Sequence, residues 1–127
     1  MDELYREYLL EHYKHPRNKE KMMDADIQKY DSNPMCGDEI EIFVRLDDPK
    51  TKIKELKFQG QGCVICMASA SLLTEELEGK TLKEIEKMGT EKIQEILGLT
   101  LTPTRIKCAM LPLVALKKGI LDYRAKG

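Results

Sequence analysis

Apolar and polar positions alternate most clearly at residues 39–46, where Ile40, Ile42, Val44 and Leu46 are interleaved with Glu39, Glu41, Phe43 and Arg45. A period of two predicts a half-buried strand over Ile40–Leu46. Asp47-Asp48-Pro49-Lys50 turns the chain, and Ile53–Gln59 returns as a second strand ending at Gly60. The two are expected to pair as an antiparallel hairpin. A short first strand is expected around Ala25–Tyr30, within the weakly patterned stretch Lys19–Asp31.

Elsewhere the period is helical. Residues Asp2–His15 place Tyr5, Leu9 and Tyr13 on one face with Leu4 and Tyr8 beside them, and Pro16 ends that helix. From Val64 onward, Ile65, Ala68 and Leu72 form a stripe, with Gly79 as a stop. The small residues Ala68, Ser69, Ala70 and Ser71 permit close approach to another element. Thr81-Leu-Lys-Glu84 reads as a capping box opening a short helix with Leu82 and Ile85 inward. Thr90 is expected to cap the next helix, which Gly98 ends. The last helix carries Ala109, Leu113, Leu116, Ile120 and Tyr123 on one face. An interior proline would leave the Cys108 carbonyl unpaired, so Pro112 is expected in the first turn, with Cys108 at the helix start. A kinked helix starting near Thr104 is the alternative.

With 127 residues, the chain is expected to be one domain, residues 1–127, with a modest core. Charged residues at 34% against 42% hydrophobic indicate a globular protein rather than a disordered one. A net charge of −1 argues against broad binding to nucleic acid or membrane surfaces. No apolar run is long enough to span a bilayer, and the acidic, amphipathic N-terminus is unlike a signal peptide. A cytoplasmic location is therefore expected. In that reducing setting, four cysteines are ligands or reactive thiols rather than two disulfides. Abundant Glu and Lys without Trp would suit a thermophile.

Three cysteines share one setting, a turn or element end beside small or flexible neighbours. Cys36 lies in Asn33-Pro-Met-Cys-Gly-Asp38 before the first clear strand, and Cys63 lies in Gly60-Gln-Gly-Cys63 at the end of the hairpin. Cys108 lies in Arg105-Ile-Lys-Cys108. A thiol facing the unpaired N–H groups of a helix start favours its thiolate form. The hairpin should bring Cys36 beside Cys63, although 27 positions separate them. Asp38 can point into the same space. Three thiolates and a carboxylate form a four-ligand set suited to a tetrahedral metal or an iron–sulfur cluster. Lys107 and Arg105 are placed to offset its negative charge. Isolated free cysteines are often just small buried hydrophobes, which describes three at flanked turns poorly. It suits Cys66 better. Cys63-Val-Ile-Cys66 within a helix start is a weak redox signal, so packing is preferred for Cys66, with sulfur relay as the minority alternative. His12 and His15 sit one turn apart but have no third ligand nearby, and are read as a partly exposed helix end.

These motifs, in this order, resemble the U-type iron–sulfur assembly family: IscU, SufU and the N-terminal domain of NifU. Leu4–Asn18 is similar to the family's first helix and turn, so the resemblance covers nearly the whole chain. It implies an α+β fold in which a small antiparallel three-stranded sheet has helices packed on one face. It also implies ligands at Cys36, Asp38, Cys63 and Cys108. A pyridoxal-phosphate cysteine desulfurase would supply persulfide sulfur, and a labile [2Fe-2S] cluster would pass to recipient apoproteins. Zinc commonly occupies the same ligands in the family. The expected persulfide acceptor is Cys108, supported by Lys107, with Cys36 the alternative.

Two departures from the family patterns stand out. IscU members have His where this chain has Lys107. They also carry Leu-Pro-Pro-Val-Lys where this chain has Leu99-Thr-Leu-Thr-Pro-Thr-Arg105, which counts against hand-off through a dedicated Hsp70-type chaperone. Lys107 points towards SufU. Yet the 45 positions from Cys63 to Cys108 leave little room for the insertion typical of SufU members. The functions in view are a cluster scaffold, a zinc-dependent sulfurtransferase and a zinc-stabilised interaction domain. The chain is expected to be a monomer or a cluster-bridged oligomer.

Overall fold

The computed structural model describes residues 3–98 and 100–126. Its elements in order are α1 (Glu3–Lys14), β1 (Ile27–Asn33), β2 (Asp38–Leu46), β3 (Ile53–Gln61), α2 (Val64–Glu76), α3 (Leu82–Glu86), α4 (Thr90–Leu97) and α5 (Pro103–Lys126). The strands form one antiparallel sheet in the order β1-β2-β3. The expected α+β class and three-stranded sheet are those observed. On the sheet face towards the helices, Ile27, Ile40, Ile42, Val44, Leu46, Leu56 and Phe58 are all buried. There α5 packs on β1 and β2, α2 packs on β3 and α5, and α1 packs on α2.

β1 lies further along the chain than expected and runs through the polar Asp31, Ser32 and Asn33. The hydrophobic pattern conceals this because its helix-side positions carry charges. Lys29 reaches Asp122 of α5 at 2.7 Å, and Asp31 reaches Lys118 of α5 at 3.0 Å. The unpatterned stretch before β1 wraps round the β3 edge to the outer face. The Asn18 carbonyl accepts from Phe58 N at 3.0 Å. Lys57 then pairs with Glu20 at 2.6 Å, and Arg45 donates to the Met23 carbonyl at 2.7 Å. Phe43, on the outer face, and Met22 of this strap are both buried.

Three expectations about the helices are corrected. α5 begins at Pro103, so Pro112 lies inside the helix rather than in its first turn. Pro103 fills the first helical position, where a missing N–H is harmless. Small residues of α2 approach the Pro112 region closely, and Ser69 donates its hydroxyl to the Ala109 carbonyl at 2.7 Å. Thr90 does not cap α4; Gly89 holds that position without a side-chain hydrogen bond. α4 is instead fixed by its buried Ile93 and Leu97 and by left-handed Gly98, whose N–H reaches the Gln94 carbonyl at 2.8 Å. Finally, His12 is buried, not part of an exposed helix end. Its Nδ1 lies 2.8 Å from Ser71 Oγ, which also accepts from Arg17 N at 2.8 Å. His15 is exposed. The capping box at Thr81 and Glu84 is present as read. In α1, Leu9 is buried while Tyr8 and Tyr13 are largely exposed. The side chains of Leu4 and Tyr5, and all of Asp2 and Leu99, lie outside the described residues.

Candidate metal centre

The site is assembled where β1, β2, β3, α2 and α5 meet. Asn33 ends β1 and organises the following turn. Its carbonyl accepts from Gly37 N at 2.9 Å and Cys36 N at 3.2 Å, while its side-chain oxygen accepts from Met35 N at 3.1 Å. Gly37 supplies the left-handed φ of 72° that the turn requires. Cys36 is thereby presented at the surface.

Asp38, the first residue of β2, is only 1% exposed. It lies beneath the exposed turn that carries Cys36 and Gly37. Its Oδ1 accepts from Cys63 N at 2.8 Å. Its Oδ2 lies 3.0 Å from Cys36 Sγ and 3.6 Å from Cys63 Sγ. The β2–β3 register brings Gly62 against this carboxylate, and a Cβ on Gly62 would stand 2.5 Å from Asp38 Oδ1. Cys63 is the N-cap of α2, its sulfur accepting from Cys66 N at 3.4 Å. The expectation for Cys63 at a helix start therefore matches the structure.

Cys108 arrives from α5, 5% exposed, with its Sγ 3.5 Å from Cys36 Sγ. It sits in the second turn of that helix, so the argument from a helix start does not apply to it. Burial instead pushes its thiol pKa up, helped by hydrogen bonding to Cys36 and by the neighbouring Cys63. Ligand atoms of Cys36, Asp38 and Cys108 lie within 4.8 Å of one another, and Cys63 joins them through Asp38. The structure thus brings all four residues of the expected set together.

Converging thiols around a buried carboxylate fit a cation closely. Soft sulfur donors suit zinc or cluster iron, and a bound cation reverses the penalty against deprotonating a crowded thiol. Lys107 and Arg105 are exposed on the first turns of α5. Lys107 lines a cavity of about 250 Å³ shared with Cys36 and Cys108, whereas Arg105 is not among its lining residues. Cys66 is completely buried in the core, and burial raises its pKa strongly. It packs against the core while its amide donates to the Cys63 sulfur that caps α2. His12 and His15 take no part in the site. Asn33-Pro34 is legible in the sequence as a turn, which the structure shows Asn33 organising, whereas the space that Gly62 leaves for the Asp38 carboxylate was missed.

The NifU-like N terminal domain model matches residues 4–127. A zinc-dependent sulfurtransferase SufU of Bacillus subtilis is 36% identical over 137 aligned residues, spanning 94% of this chain and 91% of the relative. An iron–sulfur cluster assembly scaffold protein IscU 1 of Archaeoglobus fulgidus is 35% identical over 123 residues, spanning 97% and 78%. Among solved structures, a putative SufU scaffold of Fervidobacterium islandicum superposes with a TM-score of 0.69 at 26% identity, over 94% of this chain and 96% of that one. This chain belongs to the NifU-like N-terminal domain family. No helix among the described residues is long and apolar enough to cross a membrane.

Proposed function

We propose that this protein is an iron–sulfur cluster assembly scaffold in which Cys36, Asp38, Cys63 and Cys108 hold the nascent cluster. The observation that carries this is the buried Asp38 carboxylate in contact with two thiols, with a third thiol 3.5 Å from Cys36. A carboxylate is a harder and weaker partner for iron than thiolate, so a mixed set favours release over permanent retention. Relatives named as IscU scaffolds support the same reading. The cluster is cargo, typically [2Fe-2S], built with sulfur from a cysteine desulfurase and passed to recipient apoproteins in the cytoplasm. Surface exposure of Cys36 leaves room for a donor or for a second subunit sharing the cluster. Of the two candidate persulfide acceptors, the exposure of Cys36 supports it as the first, with Cys108 receiving the sulfur next.

A second reading, zinc-dependent sulfur transfer, is supported by the SufU relative and by the compact thiol–carboxylate donor set. Zinc on the same four residues would keep the thiols deprotonated at neutral pH. Cys36, the exposed donor, is then the group with access to an incoming persulfide.

Anaerobic incubation of the full chain with desulfurase, cysteine and ferrous iron separates the two. Stoichiometric iron and acid-labile sulfide, transferable to an apo-ferredoxin, are expected of a scaffold. Persistent zinc with sulfur arriving but no cluster would favour the transferase, and neither result would overturn both.

A further inference from the structure

The cavity beside Cys36 and Cys108 is formed by the Asn33–Cys36 turn on one side and the first turns of α5 on the other. Among the described residues, Lys107 is the one charged group lining it, and no carboxylate lines it. Several other lysines are tied up in ion pairs: Lys29 with Asp122, Lys50 with Asp26, Lys57 with Glu20 and Lys118 with Asp31. Among the described residues, Lys107 has no carboxylate within ion-pair distance. Asp38, the acid of the thiol site, directs one oxygen to Cys63 N and the other to the thiols.

We propose that this cavity binds a small persulfide bearing a carboxylate, of the size and chemistry of cysteine persulfide, as a direct sulfur donor. The proposal rests on reading the site as sulfur-accepting. At roughly 30 Å³ per water in the liquid, the cavity has room for about eight waters, which suits a ligand of about eight heavy atoms. Lys107 pairs with the carboxylate, while Asn33 and Thr104 supply hydrogen-bonding groups. The sulfane end then faces Cys36 and Cys108. A persulfide on a desulfurase loop is an internal residue with no free carboxylate, so it offers Lys107 no such partner.

The transfer balances without an added oxidant. The Cys36 thiolate attacks the outer sulfur of R–S–SH, a Cys36–sulfur bond forms and the donor's sulfur–sulfur bond breaks. R–S⁻ leaves and takes up the proton that Cys36 lost. The Cys36 thiol is oxidised to a persulfide as the donor is reduced to a thiol.

The test uses the purified full chain with cysteine persulfide and, as the donor lacking a carboxylate, the persulfide of 2-mercaptoethanol. Initial rates of sulfur addition to Cys36 and Cys108 are read by peptide mass spectrometry, normalised to each donor's rate with a free thiol in solution. An exposed ion pair gives an expected preference of about two- to fivefold for the carboxylated donor. That preference should shrink with added salt, vanish in Lys107→Gln and survive in Lys107→Arg. Equal normalised rates for the two donors, or an unchanged preference in Lys107→Gln, would overturn the proposal. Metal content and desulfurase-driven sulfur addition are measured on the same preparations. If both are normal and no preference is seen, only the cavity proposal fails. If both are absent, the reading of the site fails and takes this proposal with it.

Discussion

The Cys63 amide donates to Asp38 Oδ1 at 2.8 Å, while the other oxygen of the same carboxylate faces the Cys36 and Cys63 thiols. One side chain therefore does two separable things: it fixes the start of α2 and offers an anionic ligand. Asp38→Asn can retain the first and loses the second. Asp38→Ala loses both and leaves the Cys63 N–H without its partner, at a cost of about 1–3 kcal/mol. Chemical denaturation of the metal-free variants should show Asp38→Ala clearly less stable than Asp38→Asn, while both release metal faster than wild type. Equal stability of the two would mean that the Cys63 contact contributes nothing.

Gly62→Ala addresses the same carboxylate from outside. The added Cβ would meet Asp38 Oδ1 at 2.5 Å, so the carboxylate or the strand end must move. Overpacking of this kind costs about 1–3 kcal/mol. Circular dichroism should report an intact fold, and metal analysis reduced retention. Full retention would show that the site tolerates a displaced Asp38.

The hairpin, the helix starting after Cys63 and the capping box were legible because each has a local signature: alternation, a turn followed by a period change, and Thr81 with Glu84. The convergence of Cys36 with Cys63 followed from hairpin geometry alone. What was hidden depends on tertiary partners. The last third of β1 looks like a loop because Asp31 answers Lys118 across the fold rather than filling the core. Pro112 looked like a helix start, but the true start lies at Pro103 and the helix continues through Pro112 beside the closely packed α2. His12 looked solvated because its partner, Ser71, lies 59 positions away.

Cys66 gives a clean contrast with the other thiols, being 0% exposed. Cys66→Ala should cost about 1 kcal/mol, a typical effect of a single substitution. Metal content and sulfur acceptance should persist in the variant, and tryptic mapping of the wild-type chain should find added sulfur on Cys36 or Cys108. Sulfur carried only by Cys66 would restore the relay that its burial argues against.

His12 makes stability depend on pH. Burial lowers its pKa, and Arg17 pushes the same way against the opposing charges of Glu75 and Glu11. Ser71 Oγ accepts from Arg17 N and lies 2.8 Å from His12 Nδ1, a pairing that a neutral imidazole satisfies. The unfolded chain takes up a proton near pH 6.5, about the ordinary histidine value, whereas the folded chain resists it to lower pH. Stability contributed by His12 is therefore complete above that pH and falls as the pH drops towards the folded value. His12→Asn should flatten the melting temperature across this window, and an identical pH profile in wild type and variant would remove His12 as its cause.

X-ray absorption at the zinc edge, on protein purified with zinc, tests the ligand set most directly. Sulfur and oxygen neighbours separate cleanly, at about 2.3 Å for zinc–sulfur and about 2.0–2.2 Å for zinc–carboxylate. Three sulfurs and one oxygen are expected in wild type, with the oxygen shell altered in Asp38→Ala and one sulfur lost in Cys63→Ser. Four sulfurs in wild type, or an unchanged first shell in Asp38→Ala, would contradict a site built from Cys36, Asp38, Cys63 and Cys108.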